Sequence, residues 1–124
     1  MVKVRDKVKV YKDHRSIEVP ALFDTGAGKS YLSHKVAERL GYEPYPESIR
    51  VPLDVEGKYA EVIGRLHVYL EIAGYRLPKE ETLGVIEGLR EEAIIGVNII
   101  EPYGIVLEKD KISFRRYPPQ ALLT

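Results

Sequence analysis

The sequence predicts an all-β fold that closes into a barrel-like domain, and three observations predict it. Short apolar segments, many alternating with polar residues, recur between turn signals spaced about 8–12 residues apart, which gives about eight to ten strands. Only one segment carries both a helix start and a helix stop signal. The chain of 124 residues contains no repeat or low-complexity stretch, and one domain of that length buries about two-thirds of its unfolded surface.

Taken in order, Val2, Val4, Val8 and Val10 share one face of an alternating segment and read as one or two half-buried strands. Arg15 to Phe23 is the next strand, with Pro20 marking an irregularity or an edge. Ser33 can cap a helix over His34 to Leu40 that Gly41 closes. Glu43 to Pro52 carries Pro44, Pro46 and Pro52 and reads as extended and loop-like. Val51 to Val55 and Tyr59 to Ile63 form a hairpin with Gly57 at its tip. Leu66 to Ile72 is a strand that turns at Ala73-Gly74 and resumes at Tyr75 to Leu77. Thr82 to Ile86 and the fully apolar Ala93 to Ile95 are two further strands, and Val97 to Ile100 makes a helical turn before Pro102. Ile105 to Leu107 and Ile112 to Phe114 flank a final turn.

The stretch from Ala21 to Ser30 carries the chemistry. An apolar strand delivers Asp24 directly into a Thr25-Gly26 turn, and a carboxylate at the inner end of a strand is costly unless hydrogen-bonded or used. Gly26 permits the sharp turn and a close approach of backbone or substrate. Alone, Asp24 also suits a turn aspartate that caps its own backbone. Gly28-Lys29-Ser30 matches the end of a phosphate-binding P-loop, but Phe23 occupies the position of that motif's first glycine, and hairpins follow instead of a layered α/β unit.

Composition narrows the classes. Nineteen basic residues balance nineteen acidic ones, so no global field attracts nucleic acid or an anionic membrane. The chain has no cysteine, which removes disulfides and thiolate metal sites, and His14, His34 and His67 lack paired ligand spacing. No apolar run reaches membrane-spanning length and the opening residues do not read as a signal peptide, so the expectation is a soluble, cytoplasmic protein without metal or cofactor. The scattered tyrosines read as barrel residues.

Three features in order resemble the retropepsin-like aspartic proteases. They are Leu22-Phe23-Asp24-Thr25-Gly26-Ala27 followed by Ser30, Ala93-Ile94-Ile95-Gly96 followed by an asparagine, and a glycine-tipped hairpin between them at the place of the flap. The resemblance covers about Arg15 to Phe114, leaving residues 115–124 as a tail. It implies a homodimer with C₂ symmetry, because this acid chemistry needs two carboxylates around one water and the chain has a single Asp-Thr-Gly. Two aspartates about 3 Å apart share one proton and titrate as a unit, as paired aspartates do throughout this enzyme class.

By the same resemblance Asp24 is catalytic, the Thr25 hydroxyl bonds across the axis to the partner's backbone, and Gly26 and Ala27 line the cleft. Ile95 and Gly96 pack behind the loop with Ser30, and Val55, Glu56, Gly57, Lys58 and Tyr59 close over an extended peptide. Retroviral members carry an aspartate in the stretch where this chain has Gly28 and Lys29, and an arginine where Val97 follows Gly96, so the dimer contact is built differently. The expected activity is aspartic endopeptidase; the alternatives are a non-catalytic peptide-binding or dimerisation module of the same fold and, more distantly, a nucleotide binder.

Overall fold

β1 (Lys3–Lys12) and β2 (Arg15–Asp24) pair as an antiparallel hairpin in a computed structural model that describes residues 2–52 and 57–116. Its two-residue turn places Asp13 at φ 54°, a left-handed conformation that a short polar side chain tolerates. The alternation of β1 buries Val4, Val8 and Val10 as expected. Val2 departs from the expectation: it lies beyond the strand's end and is 47% exposed.

The remaining strands are β3 (Tyr31–Ser33), β4 (Glu43–Pro52), β5 (Tyr59–Ile72), β6 (Tyr75–Arg76), β7 (Glu81–Ile86), β8 (Ala93–Ile95), β9 (Ile105–Glu108) and β10 (Lys111–Phe114). Neighbours run β1, β2, β8, β3, β7, β5, and a β1–β5 pairing from Val8↔Ile72 to Tyr11↔Tyr69 closes six strands into a barrel. Closure satisfies the edges that an open sheet would leave unpaired. β4 extends the sheet outward from β5, and the β9–β10 hairpin adds Ile105 and Ile112 to the core. The fold class is therefore the expected all-β barrel.

Helix α1 (His34–Leu40) starts where the Ser33 hydroxyl accepts the Val36 amide hydrogen, 3.3 Å away, and ends where the Gly41 amide donates to the Ala37 carbonyl at 2.8 Å. Its Val36, Ala37 and Leu40 are buried, so the i, i+1, i+4 stripe faces the barrel. Helix α2 (Val97–Ile100) is a single turn that buries Ile99 and Ile100. No helix among the described residues is long and apolar enough to cross a membrane.

Two segments correct the sequence reading. Glu43 to Pro52 is the strand β4 and not a loop, pairing Ile49↔Val62, Val51↔Ala60 and Pro52↔Tyr59. Its prolines are tolerated because β4 is the outermost strand and its register shifts between Pro44 and Ile49. The segments read as separate strands before and after Gly64 form one strand of 14 residues. Gly64 bends it without ending it: the register with β7 shifts between Val62 and Gly64, and a Cβ there would sit 2.5 Å from the Glu43 carbonyl oxygen. The hairpin lies as expected up to Pro52↔Tyr59, whereas Val55, Glu56 and the tail from Tyr117 onward lie outside the described residues.

Candidate active site

Asp24 closes β2, whose last four residues are all buried. β1 lies along one edge, in register Lys3↔Asp24, and β8 along the other in parallel, in register Phe23↔Ile95. A strand held on both edges, with Phe23 fully buried beneath it, fixes the position of the carboxylate that follows. Asp24 is 6% exposed, and such a group must be hydrogen-bonded or charge-compensated. Its Oδ1 accepts the Gly26 amide hydrogen at 2.8 Å and its Oδ2 stands 3.9 Å from Lys3 Nζ. The turn bond that a purely structural aspartate would make is thus present, and among the described residues it leaves Oδ2 with only a long contact to an ammonium that is itself half exposed.

Ser30 ties this loop to the second motif. Buried to 2% exposure, its hydroxyl accepts the Gly96 amide hydrogen at 2.9 Å and donates to Asn98 Oδ1 at 2.7 Å. The Val97 amide donates to the Ala27 carbonyl at 2.8 Å, so three bonds lock the Asp24 loop onto the start of α2. Gly96 is required by space: a Cβ built there would collide with the carbonyl oxygens of Lys29 and Ala27. Ile95, fully buried, packs below. The sequence motifs around Asp24 and Gly96, far apart in the chain, are one structural unit.

Thr25 is engaged within its own chain. Its amide donates to the Val2 carbonyl at 3.0 Å, and its Oγ1 accepts the Val2 amide hydrogen at 2.8 Å. The same hydroxyl lies 3.3 Å from the Val2 carbonyl, to which it donates.

A cleft of ≈ 310 Å³ opens at Asp24, lined by Gly26, Ala27, Tyr31, Ile86 and Ile94 together with Val51 of the hairpin arm. A second cleft of ≈ 620 Å³ adjoins it, sharing Lys29, Tyr31 and Val51. Burial, and then the neighbouring Tyr45, push the Tyr31 hydroxyl above the ordinary tyrosine range, so this wall presents a neutral phenol. Gly57, Lys58 and Tyr59 are exposed and line neither cleft; Val51 and Pro52 on the same hairpin do. Tyr31 and Asn98 escaped the sequence reading as site residues. The asparagine after Gly96 was a usable signal, but nothing in the sequence reveals that Tyr31 lies across Gly84, where an added Cβ would sit 2.7 Å from its ring.

Among the described residues no three His, Asp or Glu side chains converge as a metal site requires. His34 instead pairs with Glu38 at 2.9 Å, and His67 Nδ1 lies 2.8 Å from Thr82 Oγ1. The chemistry available at the cleft is therefore a buried carboxylate on a rigid loop, beside a groove with one apolar wall.

A family model described as aspartyl protease matches residues 7–99. No curated protein matches the sequence. Among solved structures, the retroviral protease-like domain of Ddi1 from Leishmania major superposes with a TM-score of 0.65 at 19% identity, covering 97% of this chain and 95% of that one. A retropepsin-like aspartic protease from Rickettsia conorii gives 0.60 at 18% identity over 87% and 78% of the two chains. The EIAV protease complexed with the inhibitor HBY-793 gives 0.56 at 19% identity over 81% and 86%. At these identities the structural likeness speaks for the fold.

Proposed function

The chain belongs to the aspartyl protease family, and from that premise we propose that it is an aspartic endopeptidase acting on extended peptides as a homodimer. The observation that carries the reading is Asp24: one nearly buried carboxylate, on a loop locked by Ser30 and Gly96, at the floor of a cleft. One carboxylate cannot serve as both base and acid, so a second copy supplies its own Asp24 at a two-fold axis.

In that dimer the two carboxylates hold one proton between them. The ionised one takes a proton from a water held between the pair. The water oxygen attacks the scissile carbonyl carbon while the protonated partner donates to the carbonyl oxygen, giving a neutral tetrahedral diol. Collapse returns a proton to the departing amide nitrogen, breaks the C–N bond and regenerates the shared-proton pair, with no covalent enzyme intermediate. Gly26 and Ala27 offer backbone groups to an extended substrate, and the hairpin beyond Val51 and Pro52, through Val55 to Tyr59, covers it.

The test is cleavage of a denatured protein mixture across about pH 3 to 8 by wild type and by Asp24→Asn, with sedimentation of both. The expected result is a dimer whose activity falls at least about 100-fold in the variant. Retention of full activity in Asp24→Asn overturns the reading. A strict monomer does so as well. A stable dimer without activity under any condition moves it to the peptide-binding module of the same fold.

A further inference from the structure

The clefts join into one groove. The ≈ 310 Å³ cleft at Asp24 meets the ≈ 620 Å³ cleft at Lys29, Tyr31 and Val51, and the larger one meets an outer hollow of ≈ 560 Å³ at Arg65 and Glu80. Lys29 therefore stands at the junction nearest Asp24, and Glu80 at the far end. Of the other charges along the groove, Arg65 Nε lies 3.3 Å from Glu43 Oε2 and Glu81 Oε2 accepts the Tyr103 hydroxyl hydrogen at 2.6 Å, whereas the side chain of Glu80, like that of Lys29, makes no ion pair or hydrogen bond among the described residues.

Lys29 differs from Glu80 in position: it is the only cation among the described residues that line the Asp24 cleft. Its backbone is nevertheless fixed, with its carbonyl against Gly96 and the next residue, Ser30, bonded to Gly96 and Asn98. A flexible ammonium on a rigid base, at the join of two clefts that Tyr31 also lines, can follow an incoming carboxylate and complete its solvation. The same charge repels a lysine or arginine side chain at that point, and such repulsion contributes to specificity as much as attraction does.

We propose that Lys29 is a specificity-determining residue that selects peptide substrates carrying an Asp or Glu side chain where the two clefts meet. The inference rests on the peptidase reading above and names its substrate class.

The experiment compares three peptides that differ only in Glu, Gln or Lys at each successive position around a cleaved bond, above about pH 5.5 so that glutamate is ionised. Wild type, Lys29→Gln and Lys29→Glu are compared by the ratio of kcat/KM between peptides. In wild type one position favours Glu over Gln by about fivefold, the scale of a partly solvated ion pair, and the advantage shrinks with added salt. Lys29→Gln removes the preference, and Lys29→Glu turns it toward the Lys peptide. Cleavage with no acidic preference at any position, or one that persists unchanged in Lys29→Glu, overturns the inference while leaving the peptidase standing. If wild type cleaves none of the peptides, the peptidase reading fails, and the selectivity is read from binding of the same fluorescently labelled peptides. A Glu preference lost in Lys29→Glu then supports the assignment of Lys29, and equal binding of all three peptides overturns it.

Discussion

The Ser30 hydroxyl accepts the Gly96 amide hydrogen at 2.9 Å across 66 positions of sequence, and this bond joins the aspartate loop to the strand and helical turn behind it. Both residues are buried, so the Gly96 amide is poorly placed to find water if the hydroxyl is removed. Ser30→Ala leaves the Gly96 amide and Asn98 Oδ1 without their partner and is expected to destabilise the fold by about 1–3 kcal/mol. Urea unfolding measures this, and a midpoint equal to wild type contradicts it.

Gly96 and Gly28 flank the same loop in opposite surroundings. A Cβ on Gly96 strikes two backbone carbonyl oxygens, which cannot swing away as a side chain would, whereas a Cβ on Gly28 has nothing within 4 Å. Gly96 has φ −98°, so the cost of substitution is collision alone, not backbone strain. Gly96→Ala is expected to lose at least about 1–3 kcal/mol, and Gly28→Ala to stay within about 0.5 kcal/mol of wild type. Equal effects in the two unfolding curves would show that the loop is looser than this packing implies.

What the sequence discloses of this fold follows from how locally each feature is determined. The caps of α1 are side-chain and backbone bonds within a few residues, so Ser33 and Gly41 announce both ends. The aspartate loop and Ile95-Gly96 are short motifs whose residue types are dictated by close packing; alone Asp24 also suits an ordinary turn, and the two motifs become readable when taken together in order. β4 is obscured by its prolines, because a proline marks a loop unless the strand is known to lie at the edge of its sheet, and edge status is a tertiary fact. Gly64 misleads for the same reason: its role is set by the carbonyl of Glu43 on the neighbouring strand. The bond between Thr25 and Val2 likewise depends on how far the β1–β2 register continues, which no local pattern reports.

Tyr103 links stability to pH. It is almost fully buried, and its hydroxyl donates to Glu81 Oε2 at 2.6 Å. Burial first, and then this bond, raise its ionisation well above the ordinary tyrosine value of 10.0. A raised value means that the folded state holds the proton more tightly than the unfolded chain does. The associated stability is therefore complete below about pH 10 and is lost as pH rises from there toward the folded value. Tyr103→Phe removes both the bond and this dependence. The variant is expected to be less stable by about 1–3 kcal/mol near pH 8, and the gap to wild type should narrow between about pH 10 and 11.5. Urea unfolding of both proteins across that range decides it, and a gap independent of pH is the contrary result.

Thr25 separates the needs of the single chain from those of the proposed dimer. Among the described residues of one chain its hydroxyl bonds only to Val2, which is 47% exposed, so water can take over when the hydroxyl is lost. Thr25→Val should therefore change unfolding free energy by less than about 1 kcal/mol at a protein concentration low enough to give monomers. In the dimer the same hydroxyl is asked to reach the partner's backbone and align the two Asp24 carboxylates. That contact requires it to exchange Val2 for the partner, or to share itself between them through its second lone pair. Thr25→Val is then expected to shift the monomer–dimer equilibrium toward monomer and to lose activity, whereas Thr25→Ser keeps the donor and retains both. Sedimentation equilibrium with peptide cleavage reads the two effects together. If Thr25→Val dimerises and cleaves like wild type, the hydroxyl belongs to Val2 alone and the subunits meet without it.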